Sequence, residues 1–179
     1  MPPLEKIMKT LWKPILLVCF ATVCLDLPAT AADAELIRVG IYDSRAIAIA
    51  YAPSKFNPAR EKMRQFKKAK DDGNEKLMKE LENWGEKHQR QLHRQGFAFV
   101  PVGDLLSHVE DKLPEVAERA DVVAITRSFN FSTPSVEVVD VTDELVKLFD
   151  PSEKTLKTIQ SIRGKRAVDL DELEQHHNH

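Results

Sequence analysis

Residues 58–94 read PAREKMRQFKKAKDDGNEKLMKELENWGEKHQRQLHR, and how this charged stretch folds decides the shape of the chain. Its apolar residues Met63, Phe66, Leu77, Leu81, Trp84 and Leu92 fall three or four apart, or at sums of those steps, the period of one helix face. So narrow a stripe suits a helix packed against a single partner, as in a coiled-coil seam. Gly73 can take the left-handed position that closes a helix, and Asn74 can cap the next one. The stretch therefore reads as a helical hairpin over residues 58–95, about 13 residues up and about 20 down with Gly73 at its tip.

On the N-terminal side, Leu36 to Tyr42 (LIRVGIY) is β-branched and apolar and reads as a largely buried strand. Asp43 or Ser44 then caps a short Ala/Ile helix from Arg45 to Ala52, and Pro53 and Pro58 end it. On the C-terminal side, Gly96 closes the hairpin and Phe97 to Val102 is extended. Asp104 caps an amphipathic helix that Pro114 kinks or divides. Val122 to Thr126 and Val136 to Val141 are two more strands, and Thr142 caps a helix running to Phe149. A further helix spans Glu153 to Ile162, and the polar residues from Arg163 to His179 are expected to fray. The fold class is α+β: a small mixed β-sheet flanked by helices, with a projecting helical hairpin.

The first 31 residues carry the three parts of a cleavable export signal. Lys6, Lys9 and Lys13 come first, then the apolar run Ile15 to Leu25, then Ala29-Thr30-Ala31, with cleavage expected after Ala31. The run is 11 residues long, whereas a membrane-spanning helix needs about 20, so no stable span is expected after processing. Residues 1–31 are then the signal peptide, 32–162 a single domain and 163–179 a polar tail, with the protein exported to the periplasm or cell envelope. Both cysteines, Cys19 and Cys24, fall in the leader, so the processed chain has no disulfide or thiolate to use. Three of the 26 basic and two of the 28 acidic residues fall there too, leaving 23 against 26 and a net charge of −3. That balance argues against a nucleic-acid partner. Arg60 to Lys70 nevertheless holds six basic residues against Glu61 alone, while Asp104 to Asp150 holds eleven acidic against four basic.

The element order, together with the stretches Ile37-Arg38-Val39-Gly40-Ile41-Tyr42-Asp43 and Val138-Val139-Asp140-Val141-Thr142-Asp143-Glu144-Leu145, resembles the OmpH/Skp family of periplasmic chaperones. There a strand ending in Asp enters the body, two helices project as an arm, and the chain returns through a helix and a strand to a D-x-T-D corner. The resemblance spans residues 36–149. It implies a non-catalytic, trimeric homo-oligomer that binds unfolded polypeptide or another envelope protein. The arm here departs from the family's long ones: at about 1.5 Å per residue it reaches only some 20 to 30 Å, too short to enclose a whole client.

The residues that could contact such a partner are Arg60, Arg64, Lys67, Lys68 and Lys70, whose charge acts at long range, and Trp84 in the apolar stripe. A different reading is a small exported hydrolase or ligand-binding enzyme with a polar site at the hairpin base, formed by Asp43, Arg45 and His93 beside Ser44. No G-x-S-x-G elbow accompanies that serine, and the glycines are too scattered for a phosphate or dinucleotide loop. His88 and His93 are five residues apart, about 140° around a regular helix, and cannot chelate one ion from it. No catalytic, cofactor-binding or metal-binding residue is assigned.

Overall fold

A computed structural model describes residues 36–172. The expected leader with its two cysteines, and the terminal His176, His177 and His179, lie outside the described residues. Strand β1 (Ile37–Ile41) leads into helix α1 (Ser44–Tyr51). The hairpin follows as α2 (Ala59–Asp71) and α3 (Glu75–Phe97). Next come α4 (Gly103–Leu106), a 3₁₀ segment (Ser107–Lys112) and α5 (Leu113–Ala120). Strands β2 (Ala124–Thr126) and β3 (Val136–Asp140) then precede α6 (Thr142–Lys147) and α7 (Glu153–Arg163).

The hairpin tip forms as its residues predict. Gly73 has φ +69°, a conformation in which a side chain is strained, and Asn74 Oδ1 accepts the Leu77 N–H at 3.0 Å. Asp43 caps α1 by accepting the Arg45 N–H at 2.9 Å. The helix after Val102 is divided as Pro114 requires. Pro114 sits in the first turn of α5, where its missing N–H is harmless, and the preceding 3₁₀ segment breaks at Val109 (φ −133°, ψ 17°). Two expected caps are corrected, because tertiary bonds claim their side chains. Asp104 lies inside α4 and accepts from buried Gln95 Nε2 at 2.8 Å. Thr142 is the first residue of α6, and its Oγ1 accepts the Asp43 N–H at 3.0 Å.

The three strands are ordered β2-β1-β3. Both pairings are parallel, with Val39 opposite Ala124 on one side and Val138 on the other. This corrects the expected mixed sheet. After each strand the chain crosses back to the starting end of the next, through α1–α5 and then through residues 127–135, instead of reversing in a hairpin.

Helix α1 is the hub of the core. Ala46, Ile47, Ala48, Ala50 and Tyr51 are all buried, so from Ala46 onward it is apolar on every side, and its alanines let neighbouring helices close in. One sheet face, with Tyr42, Ile125 and Val139, packs onto this core. Gly40 belongs to that face because the Val141 methyls lie 3.1 Å from where a Cβ would stand. The opposite face carries Ile37, Val39, Ile41, Val136 and Val138, which lie outside the buried core; Ile37 is 52% and Val138 43% exposed.

Beyond α7 the chain stays attached for several residues. Arg45 donates to the Lys165 carbonyl at 3.0 Å and the Val168 N–H to the Phe97 carbonyl at 2.9 Å. Fraying expected from Arg163 onward is therefore resisted as far as Val168, by backbone bonds that composition does not reveal. No helix among the described residues is long and apolar enough to cross a membrane.

Candidate functional site

The two hairpin helices do not close fully on the body. Between α2 on one side and α1 with α7 on the other runs a groove of about 660 Å³, floored by α3 from Leu81 to Phe97. Helical period explains the lining. Met63 and Phe66 turn the apolar side of α2 inward, while Leu81, Trp84, His88 and Leu92 do the same along α3. Ala48, Ala52 and Ala59 contribute little bulk, and Gly85 and Gly96 none, which leaves the space between the helices open.

Three of the polar groups, Asn57, Lys62 and His88, meet beside Trp84. Asn57 Oδ1 accepts the Ala59 N–H at 3.0 Å, at the start of α2, while its Nδ2 donates to the Ala52 carbonyl at 2.7 Å. The same Oδ1 lies 2.9 Å from His88 Nε2. With the amide N–H group turned to Ala52, Oδ1 can only accept, which assigns the proton to Nε2 of His88. Burial holds the His88 imidazole below the usual histidine range. Its ring stacks on Trp84 at 4.6 Å, and the Lys62 ammonium lies 5.8 Å from the Trp84 ring centre. Lys62 and Glu82 are the fully charged side chains that line the groove.

Of the expected partner-binding residues, Trp84 lies in this groove. The basic ones do not converge. Arg64 pairs with Glu61, and Lys68 with Asp72 at 2.6 Å, while Arg60 donates to the Pro53 carbonyl at 3.4 Å. Lys67 and Lys70 are exposed and make no ion pair among the described residues.

The expected polar cluster does not assemble as one site. Asp43 and Arg45 form a buried, two-point ion pair, Nη2–Oδ2 2.7 Å and Nε–Oδ1 3.1 Å, and the guanidinium also lies 4.6 Å from the Phe99 ring centre. Neither residue lines the groove, whereas His93 does, with its ring edge-on to Phe97 at 5.7 Å. Ser44 is buried, and its Oγ has no hydrogen-bond partner among the described residues, so no base is placed to activate it. Asp43 and Arg45 are thus committed to holding the end of β1, the start of α1 and the segment after α7 together.

Asn57 and Gly85 were not singled out as site residues from the sequence. Asn57, just ahead of Pro58, reads as ordinary turn chemistry, and only a glycine in mid-helix hinted at Gly85. Comparisons with protein-family models, with curated proteins and with solved structures find no match to this chain.

Proposed function

We propose that the protein is a non-catalytic, exported envelope protein of OmpH/Skp-like build that binds apolar segments of unfolded or envelope polypeptides in the groove beside α3. The observation that carries this reading is the groove itself. It is large, open, mainly apolar, and presents Trp84 beside the His88 imidazole. A site of this composition recognises apolar side chains and has few groups able to polarise a bond. The observed order of strand, hairpin, helices and two strands supports the family resemblance, and the short hairpin suits a segment better than an enclosed client. Export rests on the residue pattern of positions 1–31. The uncovered apolar sheet face supports a homo-oligomer, with a trimer the form that the resemblance implies.

The test is to dilute a chemically unfolded outer-membrane protein into buffer with and without the protein and to follow light scattering. Suppressed scattering that is lost in Trp84→Ala is the expected result. Undiminished aggregation with the parent chain would remove the polypeptide-binding reading.

A further inference from the structure

Gly85 stands in the middle of a 23-residue helix, where glycine costs about 1 kcal/mol relative to alanine. The other glycines at demanding positions have reasons within the chain. Gly73 has a positive φ, and Gly40 faces the Val141 methyls at 3.1 Å. Gly85 has neither reason: a Cβ built there meets nothing within 4 Å, and the residue lines the groove. Gly85 thus leaves clearance over the middle of the groove floor.

The groove's dimensions and charge describe that occupant. From Leu81 to Gly96 the floor runs about 22 Å, roughly four turns of a facing helix. On α2 the lining residues Met63 and Phe66 continue one turn on into Lys67 and Lys70, and on α7 Ile162 and Thr158 continue back to Lys154. These three lysines are exposed and make no ion pair among the described residues, so helical spacing sets two on the α2 side and one on the α7 side of a mainly apolar floor. Glu82 is the only carboxylate in the lining, and Lys62 offsets it.

We infer that the groove receives an amphipathic α-helix with acidic flanks, its apolar stripe along α3, its backbone closest at Gly85 and its carboxylates toward Lys67, Lys70 and Lys154. This deepens the polypeptide-binding reading and rests on it. Helix-in-groove recognition needs an apolar trough with charge at the edges. Glycine at the crossing point lets two helix axes approach toward the short end of the usual 8–10 Å spacing.

The experiment measures anisotropy of fluorescein-labelled peptides of about 16 residues titrated with the full chain. One peptide has an apolar stripe flanked by glutamates, a second the same stripe flanked by lysines, and a third is the first with two central prolines. The glutamate helix is expected to bind at least about tenfold more tightly than either of the others. Gly85→Leu should weaken it by about tenfold or more while melting no lower than the parent by circular dichroism. Lys67→Glu/Lys70→Glu should reverse the preference between glutamate and lysine flanks, and this pair lies outside the packed groove. Equal binding of all three peptides, or a Gly85→Leu chain that binds like the parent, overturns the inference. If no peptide binds although unfolded client is still held in solution, the inference fails and the polypeptide-binding reading stands. Binding of the glutamate helix without any effect on client aggregation supports the inference and removes the chaperone-like reading.

Discussion

His88 Nε2 lies 2.9 Å from Asn57 Oδ1, and this contact ties the segment leading into α2 to the middle of α3. Because Asn57 also bonds the Ala52 carbonyl and the Ala59 N–H, one amide side chain joins three helices. Asn57→Ala removes all three bonds and leaves the half-buried imidazole without its acceptor. The expected loss is about 2 kcal/mol. Asn57→Asp keeps an acceptor for Ala59 and His88 but sets a carboxylate oxygen against the Ala52 carbonyl in place of the donor, and should still fall between the parent and Asn57→Ala. Urea unfolding followed by circular dichroism measures both, and an unchanged midpoint for Asn57→Ala would show that the clamp contributes nothing.

The same histidine gives the fold a pH dependence with a definite sign. Burial depresses the His88 pKa in the folded state, so the unfolded chain takes up the proton first as pH falls. The associated stability is present above the unfolded value of about 6.5 and is lost as pH falls from there through the folded pKa. Melting temperatures at pH 8, 7, 6 and 5 should therefore decline through the acid half of that series, and His88→Gln should flatten the decline. A His88→Gln chain with the parent's full slope would assign the dependence to other groups.

Arg45 and Asp43 lead to a prediction about stability rather than activity. Arg45 is 3% exposed and paired at two points with Asp43, so Arg45→Ala strands a carboxylate at the start of α1. Removing one partner of a buried pair costs about 3–5 kcal/mol. Replacing both, as Asp43→Asn/Arg45→Met, keeps the helix cap and should recover a good part of that loss. Chemical denaturation of the two variants decides it. Both variants lack the guanidinium and its contacts with the Lys165 carbonyl and the Phe99 ring, so a double variant no more stable than Arg45→Ala would mean that the stranded carboxylate is not what costs stability.

The parts of this structure legible in sequence are those whose causes are local. Gly73 and Asn74 mark the hairpin tip because a positive φ and a helix cap each need a particular side chain at a particular place. Asp43 caps α1 for the same reason. Asp104 and Thr142 carry the same local signal, yet Gln95 and the Asp43 backbone claim their oxygens, and those partners are distant in sequence. Strand direction was not legible, because alternating apolar residues look alike whether the next strand runs parallel or antiparallel. The groove was half legible: the stripe containing Trp84 announced an apolar face. That α1 and α7 would stop short of covering it depends on how four helices pack, and spacing along one of them cannot report that.

The uncovered sheet face yields the last prediction. Parallel sheets are ordinarily covered on both faces, yet here Ile37, Val39, Ile41, Val136 and Val138 share a face that lies outside the core. Five strand residues present too little area for a standard interface of about 800 Å² per partner. Phe131, 80% exposed in the crossing from β2 to β3, is a further large apolar side chain in the segment joining these strands. If a second copy covers this face, light scattering should give a mass that is a multiple of the 20.3 kDa chain, with the leader's removal allowed for. Val138→Glu puts a charge in the centre of the patch and should lower that mass to one chain. The variant's own fold should change by less than about 1 kcal/mol, as expected of a surface substitution. If Phe131 joins that interface, Phe131→Ser should weaken the assembly without abolishing it, because the strand residues stay in place. A parent that already weighs as one chain would sink this assignment, and so would a Val138→Glu variant that keeps the parent's mass.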